Sequence, residues 1–302
     1  MIISLIINFL KLLYQANLYV DWFKVSSMYI VSPESAIQEN IWEERIEESR
    51  SLDTLQAFLS RFPRAGYVIG ASTFRNFKPG EKLSATARKY RTAEGHYDVF
   101  NTAVYVDSTG LTRLHHKSKL TPGVEKMPFA KLMKPLENLA FNLGGTVGSL
   151  GVDQERTVFT RPGDSLKVAP VICYESVFGS YVTQYIHKGA NLIFVITNDG
   201  WWGNTPGHRQ HFTFSKLRAI ETRRSIARSA NTGISAFIDQ RGDVYQQTKY
   251  WEPAVIRQEI NASDKITFYV RNGDYIARIS AFVAVFLLLI AISYRLRRRP
   301  SA

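Results

Sequence analysis

The sequence predicts a layered α/β domain followed by a single membrane-spanning helix. Apolar runs rich in β-branched residues alternate with longer segments of helical period, a pattern typical of α/β or layered α+β domains. Several of these runs are almost continuously hydrophobic, which indicates strands that are covered on both faces. Close to the C-terminus, a charge-free apolar stretch is followed immediately by arginines.

The apolar runs predict strands, and three further segments predict helices. The strands are expected at residues 28–32, 66–72, 99–107, 111–116, 168–174, 191–197 and 233–239. The helices are expected at about residues 39–62, 177–187 and 209–228. Two polar, turn-rich segments, residues 76–95 and 121–151, are expected to be surface excursions, and long loops of this kind usually serve function.

The N-terminal segment, residues 1–27, allows three interpretations. Its apolar run extends for ten residues before Lys11, without a basic stretch ahead of it or a small-residue cleavage site behind it. A helix on the membrane surface, a remnant of a spanning helix and the first helix of the soluble domain all agree with this pattern.

The C-terminal segment predicts a membrane span, with a buried core helix as the alternative. Residues 279–294 carry no charge, and the window reaches about twenty residues when 275–278 are included, which is the length that a bilayer requires. The arginines at 295, 297, 298 and 299 place the C-terminus in the cytoplasm and the preceding domain on the opposite face. We therefore expect a soluble domain at 28–272, a membrane helix at 275–294 and a cytoplasmic tail at 295–302.

The formal net charge of +12 does not predict nucleic-acid binding. Four of the positive charges lie in the last eight residues, and the sequence contains no zinc-ligand spacing, no glycine-rich phosphate loop and no aromatic-basic ribbon. A membrane surface is a better candidate than nucleic acid as the partner of this positive charge.

The single cysteine, Cys173, cannot form an internal disulfide, so it is either a small buried hydrophobic residue or a reactive thiol.

Polar residues recur where predicted strands end. Glu34, Lys117, Cys173 and the pair Asn198-Asp199 each end or follow an apolar run. Ligands of α/β sheets bind at the carboxyl edge of the strands. Taken singly, the thiol is more often inert packing, and the two charged side chains have ordinary roles at a helix end or in a solvated loop. Together they predict a nucleophilic site.

A thiol that attacks a carbonyl needs a base or a cation beside it. Glu34 could accept the proton, while Lys117 could hold the oxyanion and favour the thiolate. A serine triad fits less well because no G-x-S-x-G motif occurs. No metal site or cofactor is predicted, because the sequence offers no carboxylate-rich surroundings to the histidines at 115, 116, 208 and 211.

The proposed groups stand in three ordered blocks, "SPESAI" with Glu34, "HHKSKLTPGVE" with Lys117 and "VICYES" with Cys173. These blocks resemble the Glu-Lys-Cys triad blocks of the carbon–nitrogen hydrolase (nitrilase) superfamily, which implies an αββα sandwich. The stretches "TNDGWWGNTPGHRQHF" and "RAIETRRSIARSANTGISAFID", with the C-terminal helix and its basic tail, are similar to the apolipoprotein N-acyltransferase branch of that superfamily.

The resemblance implies acyl transfer in two steps at the bacterial inner membrane, with the catalytic domain in the periplasm. Cys173 would take a fatty acyl chain from a phospholipid as a thioester, with Glu34 as base and Lys117 at the oxyanion. The N-terminal amine of a diacylglyceryl-cysteine lipoprotein would then accept the acyl chain. No cofactor is implied.

The resemblance also assigns supporting roles by position. Glu125 matches the branch's second glutamate, and Tyr174 and Glu175 match the pair beside the nucleophile, so all three would support the substrate or the oxyanion. Trp201, Trp202 and the apolar loop 128–143 would contact lipid.

The resemblance covers roughly residues 28–299 and corresponds to the C-terminal half of enzymes of this branch, in which a membrane bundle comes first. It implies a buried strand before Glu34 that the pattern does not locate in residues 1–27. We therefore expect reduced or no acyl transfer from this chain by itself, or its completion by a separate membrane subunit. The alternatives are a membrane-tethered amidase or nitrilase that acts on a small carbon–nitrogen substrate, and a non-catalytic remnant.

Overall fold

The computed structural model describes residues 2–6, 28–110, 112–126 and 150–297. In this part of the chain, two β-sheets stack face to face, helices cover their outer faces and a long helix follows at the C-terminus. The predicted fold class, an α/β sandwich of αββα type with a C-terminal apolar helix, is confirmed.

The described residues contain fourteen strands and five α-helices. The strands are β1 (Ile2–Ile6), β2 (Met28–Val31), β3 (Ile37–Trp42), β4 (Ala65–Asn76), β5 (Arg88–Lys89), β6 (His96–Asp107), β7 (Thr112–His116), β8 (Phe159–Thr160), β9 (Lys167–Ile172), β10 (Leu192–Thr197), β11 (Ile226–Ala230), β12 (Ala236–Ile238), β13 (Val244–Tyr245) and β14 (Val255–Glu259). The helices are α1 (Arg50–Leu59), α2 (Gly179–His187), α3 (Pro206–Thr222), α4 (Phe268–Asn272) and α5 (Tyr275–Arg297).

The two sheets have different connectivity. The first sheet has the order β14-β1-β2-β4-β6-β5, with β3 also beside β4 and β7 also beside β6. The second sheet has the order β13-β12-β11-β10-β9-β8, and its central strands β9, β10 and β11 run parallel. Parallel strands bring their carboxyl ends to one edge, and the polar residues that follow β9 and β10 therefore lie side by side.

Strand β10 shows why a continuous apolar run predicts a covered strand. Its six residues are all buried. Leu192, Phe194 and Ile196 belong to the core between the two sheets, while Ile193 and Val195 belong to the core beneath α2 and α3. Side chains alternate between the two faces of a strand. A strand that is shielded from solvent on both faces therefore needs apolar residues throughout.

Helix α1 covers the outer face of the first sheet. Its buried residues Leu52, Leu55 and Leu59 follow helical spacing and pack against the sheet. The Ser49 hydroxyl caps the helix by accepting a hydrogen bond from the Leu52 N–H.

The predicted helix at residues 39–62 is wrong in its first half, because residues 37–42 form β3 and residues 43–48 form a 3₁₀ segment. Two glutamates of this segment bond to β4: Glu43 accepts a hydrogen bond from the Thr73 hydroxyl and Glu44 accepts one from the Asn76 N–H.

The predicted helix at 209–228 also ends too late. Helix α3 stops at Thr222, Arg223 takes a left-handed conformation with φ 51°, and β11 follows as a fully buried strand. Arg228 in the middle of β11 conceals the strand in the sequence, because a buried charge is unexpected without its partner. That partner is Asp199, whose carboxylate lies 2.7 Å from the Arg228 guanidinium.

All three helical interpretations of the N-terminal segment are wrong for residues 2–6. These residues form β1, which pairs in parallel with β2 and antiparallel with β14. They provide the strand before Glu34 that the family resemblance implies. A short apolar run cannot be assigned to helix or strand by periodicity alone. Residues 7–27 lie outside the described residues.

Helix α5 spans 23 residues and is apolar and long enough to cross a membrane. None of the residues in its apolar window is buried in the described structure. The alternative of a buried core helix is therefore wrong for these residues. The membrane span and its orientation stay predictions. Arg298 and Arg299 lie outside the described residues.

Of the two predicted surface excursions, residues 76–95 are mostly exposed and hold only the two-residue strand β5. The excursion at 121–151 is described only at residues 121–126 and 150–151. The predicted lipid-contact loop at 128–143 therefore lies outside the described residues.

The position of β1 inside the sheet predicts the effect of proline at Ser4, which pairs with Ile30 on one side and Arg257 on the other. Ser4→Pro removes an N–H from a strand with neighbours on both sides and should lower the free energy of unfolding by about 1–3 kcal/mol. The matched substitution Ser4→Val keeps the N–H and should change it by less than about 1 kcal/mol. Urea unfolding measures both, and equal effects would contradict the strand assignment.

Candidate active site

The structure brings together strand ends that the sequence singled out. Glu34 lies in the turn after β2, Lys117 follows β7 directly and Cys173 follows β9 directly. The Lys117 Nζ donates to Glu34 Oε1 at 2.9 Å. The backbone N–H of Asn198, directly after β10, donates to Glu34 Oε2 at 2.7 Å. Glu34 therefore joins the edges of both sheets.

Lys117 is buried between two carboxylates. Its Nζ lies 2.9 Å from Glu34 Oε1 and 2.8 Å from Glu125 Oε2, and the side chain is 1% exposed. The amide of Asn101 donates to both carboxylates, at 2.6 Å to Glu34 and 2.7 Å to Glu125. Burial alone would lower the Lys117 pKa, but Cys173 and the two glutamates raise it above its ordinary value. The side chain therefore stays an ammonium.

The Cys173 thiol is protonated at neutral pH. Burial raises the pKa of Cys173 to about 12, with a further contribution from the Glu34 carboxylate that Lys117 and Thr197 only partly offset. Lys117 favours the thiolate, as expected, since it lowers the pKa of the thiol, but burial and Glu34 outweigh it. Lys117 already neutralises nearby carboxylates, and one cation cannot balance both these charges and the cost of burying a thiolate.

The turn that holds Glu34 packs closely against Gly70 of β4. A Cβ atom on Gly70 would come within 2.5 Å of the Glu34 Cα and within 2.6 Å of the Ser35 backbone nitrogen. The Gly70 N–H also donates to the Pro33 carbonyl at 3.1 Å. Only a residue without a side chain permits this approach, so Gly70 helps to fix where Glu34 lies.

Glu175 ties the Cys173 turn, residues Cys173–Val177, to the loop that carries the lysine. Its buried carboxylate accepts hydrogen bonds from the Ile172 N–H at 2.8 Å, the Ser118 N–H at 2.6 Å and the Tyr181 hydroxyl at 2.5 Å. Burial alone would raise the Glu175 pKa, but His115 and these hydrogen bonds hold it below its ordinary value. Glu175 is therefore an ionised anchor for two loops.

The other predicted site residues, Tyr174, Trp201 and Trp202, are partly or largely exposed. Tyr174 is half-buried and packs edge-on against Phe178 with ring centroids 5.3 Å apart. Trp201 and Trp202 lie on the 3₁₀ turn after β10 and are 67% and 38% exposed. Contact of these two indoles with lipid stays a prediction.

Sequence reasoning missed Asn101, which bridges the two carboxylates of the lysine site. The signal for it was present, because an amide in the middle of the apolar run at 99–107 is an unusual choice for a buried strand. It also missed His211 and Arg228, which lie under the Cys173 turn and contact Asp199.

The histidines are better supplied with carboxylates than the sequence suggested. His116 lies 2.8 Å from Glu43, and His211 lies 2.8 Å from Asp199. His116 also lies 3.7 Å from Asp153, and both of its carboxylate neighbours come from distant segments, which sequence proximity cannot reveal. Within the described ranges, no group of three or more histidine, cysteine or acidic side chains is arranged to hold a metal ion.

Comparison with known proteins identifies relatives for most of the chain. The carbon–nitrogen hydrolase family model matches residues 68–267. The apolipoprotein N-acyltransferase of Chlorobaculum tepidum is 30% identical over 270 residues, which cover 87% of this chain and 49% of that protein. The Geobacter metallireducens protein of the same name is 29% identical over 242 residues, covering 78% and 41% respectively. The chain thus spans about half the length of the curated relatives that it matches.

Solved structures share the fold at low sequence identity. A mutant amidase from Nesterenkonia sp. AN1, with an acetamide moiety added covalently at its active-site cysteine, superposes with a TM-score of 0.57 at 14% identity, covering 93% of this chain and 96% of the amidase. A CN-hydrolase superfamily protein from Xanthomonas campestris gives a TM-score of 0.53 at 14% identity, with 94% and 96% coverage.

The buried lysine predicts a large loss of stability on its removal. Lys117→Met leaves two carboxylates without their cation and should lower the free energy of unfolding by about 3–5 kcal/mol at neutral pH. Because the folded-state pKa of Lys117 is raised, the stability it contributes is fully present below the ordinary lysine pKa and is lost only as pH rises beyond it.

The control for this experiment is Lys119→Met. Lys119 is exposed and lies 5.5 Å from the Phe178 ring centroid, so its removal should cost less than about 1 kcal/mol. Equal losses for the two variants in denaturant unfolding would show that the buried ion cluster does not stabilise the fold.

Proposed function

The chain belongs to the carbon–nitrogen hydrolase family, and from that premise we propose that it is the catalytic part of an apolipoprotein N-acyltransferase. It would move a fatty acyl chain from a phospholipid to the N-terminal amine of a diacylglyceryl-cysteine lipoprotein. The observation that carries the proposal is the buried Glu34–Lys117 pair beside the Cys173 turn, in a chain whose relatives have that name.

The first step forms a thioester. The Cys173 sulfur attacks the acyl ester carbonyl of the phospholipid while Glu34 accepts the thiol proton. A concerted base is required because the pKa of Cys173 is about 12 and little thiolate exists beforehand. The tetrahedral intermediate collapses, the ester C–O bond breaks, and the proton on Glu34 passes to the departing lysophospholipid oxygen.

The second step transfers the acyl chain. The lipoprotein amine attacks the thioester carbonyl and gives a proton to Glu34. The C–S bond breaks, an amide forms, and the proton returns from Glu34 to the Cys173 sulfur. The enzyme is thereby restored without a cofactor.

Both tetrahedral intermediates carry an oxyanion that needs positive charge. The Lys117 ammonium and the Tyr174 N–H are the donors that we propose, and one such donor typically contributes a factor of about 10²–10³ in rate. Glu125 supports the lysine through its 2.8 Å contact. Glu175 supports the Tyr174 N–H indirectly, because its carboxylate anchors the start of the Cys173 turn.

The proposed location is the bacterial inner membrane. Residues 28–272 would form the periplasmic catalytic domain, residues 275–294 would cross the membrane, and residues 295–302 would be cytoplasmic. Trp201 and Trp202 would contact lipid, since exposed indoles favour the membrane interface.

A membrane-tethered amidase or nitrilase is the second candidate. The same three groups would serve hydrolysis of a small carbon–nitrogen substrate with water as the acceptor, and the amidase named above shares the fold. The two functions differ in the group that the thiol retains, because only the acyltransferase takes a fatty acyl chain from phospholipid.

The test is the intact mass of the chain after incubation in mixed phospholipid–detergent micelles. We expect a mass increase of one fatty acyl group, which neutral hydroxylamine removes, and which forms more slowly than in a full-length relative because acyl transfer by this chain alone is expected to be reduced. Cys173→Ala should abolish the adduct, and Glu34→Gln should slow its formation about 10²–10⁴-fold. Glu43→Gln is the matched control, since Glu43 is a partly buried glutamate hydrogen-bonded to Thr73 and His116 on the outer side of the first sheet.

An adduct that forms equally in Cys173→Ala would contradict the proposed nucleophile. Turnover of a small amide without any acyl adduct from phospholipid would favour the amidase.

A further inference from the structure

Cys173 has a backbone conformation that an L-residue adopts at a cost. Its φ angle is 48°, in the left-handed region, directly after the regular strand β9. This conformation is about 1–2 kcal/mol less favourable than the right-handed one for a residue with a side chain. Neighbouring groups must therefore hold the backbone in place.

The Cys173 carbonyl oxygen is held by two side chains. The Ser176 hydroxyl donates to it at 2.8 Å, and His211 Nε2 lies 3.0 Å away. A carbonyl oxygen only accepts hydrogen bonds, so Nε2 acts as a donor to it. Ser176 belongs to the same turn, whereas His211 comes from α3 and links the Cys173 carbonyl to that helix.

His211 is in turn oriented from below. Its Nδ1 lies 2.8 Å from Asp199 Oδ1, and the second Asp199 oxygen accepts a hydrogen bond from Arg228 at 2.7 Å. Arg228 is completely buried and also donates to the Ile234 carbonyl at 3.1 Å. Burial alone would raise the Asp199 pKa, but Arg228 and His211 hold it well below its usual range. Asp199 Oδ1 and the Cys173 carbonyl oxygen are both acceptors, so hydrogen bonds to both require an N–H on each ring nitrogen of His211.

Ser176, His211 and Asp199 follow the order of a serine-protease triad, but they do not form a second nucleophilic site. Ser176 is completely buried, and its hydroxyl donates to the Cys173 carbonyl. A substrate therefore has no path to this oxygen. The position of the three groups under the Cys173 turn points to support of that turn instead.

We propose that His211, oriented by Asp199, is a positioning residue for Cys173: its Nε2–H holds the Cys173 carbonyl and keeps the thiol directed towards Glu34 and Lys117. The inference rests on the proposed function only in taking Cys173 as the nucleophile. Without this donor the backbone relaxes from the left-handed conformation, and the sulfur moves relative to the groups that activate it. A misplacement of this kind slows the chemical step more than it weakens substrate binding.

The test uses two reactions of the full chain in detergent micelles, namely thioester formation from phospholipid and alkylation by iodoacetamide. Because Cys173 is the only cysteine in the chain, intact mass reports alkylation of that residue without ambiguity. His211→Leu removes the donor and should slow both reactions at least tenfold, with the phospholipid concentration for half-maximal rate changed less than threefold. His211→Gln keeps an N–H donor in reach of the carbonyl and should remain within threefold of the unsubstituted chain.

The matched control is His208→Leu. His208 lies one turn earlier on α3, is as buried as His211, and stacks on Tyr250 with centroids 4.2 Å apart. Its substitution should lower the melting temperature without slowing alkylation. If His211→Leu does not fold, the glutamine variant carries the test, since a folded His211→Gln chain that reacts tenfold more slowly would overturn the proposal.

Three further results would overturn the proposal. In the first, His211→Leu is folded and reacts at the unsubstituted rate. In the second, glutamine gives no rescue relative to leucine. In the third, His208→Leu slows alkylation as much as His211→Leu does. Failure of the proposed function is distinguishable, because it would remove thioester formation from every variant while the order of the alkylation rates persists.

Discussion

The buried Lys117 ammonium is the constraint on which the candidate site depends. An ammonium removed from water is costly unless charged partners surround it, and Glu34 and Glu125 supply them at 2.9 and 2.8 Å. Asn101 holds both carboxylates through its amide. The cluster therefore fixes Glu34 beside the Cys173 turn. The carboxylate that helps to keep the thiol protonated at rest is also the proton acceptor in the proposed mechanism.

A second buried ion pair lies on the opposite side of the same turn. Arg228 and Asp199 join the middle of β11 to the end of β10, and His211 extends this pair to the Cys173 carbonyl. The turn is thus held from one side through Glu175 and from the other through His211. These two sets of hydrogen bonds hold the strained backbone of Cys173 in place. The thiol then has a fixed position from which to attack a substrate carbonyl.

The sequence could predict the features that depend on local pattern. Continuous apolar runs indicated strands with two dry faces, and polar residues at their ends indicated Glu34, Lys117 and Cys173. It could not predict β11, because Arg228 is compatible with a buried strand only when Asp199 is seen to face it. The short apolar run of β1 was equally ambiguous, since its partner β14 lies about 250 residues away in the chain.

The electrostatics of Cys173 were beyond sequence reasoning for a related reason. The sequence shows a cation near the thiol, but the pKa depends on burial and on how many carboxylates share that cation. In the fold, Lys117 lowers the pKa of the thiol as expected, but burial and Glu34 outweigh it, and the net shift is upward.

Titration of the thiolate by its ultraviolet absorbance, as the difference between the unsubstituted chain and Cys173→Ala, tests this account most directly. The subtraction cancels the tyrosines. We predict no thiolate signal from about pH 6 to about pH 10, since the pKa of Cys173 is about 12. A full thiolate signal at neutral pH would reveal a preformed thiolate–ammonium pair and would contradict the claim that Glu34 must remove the proton during attack.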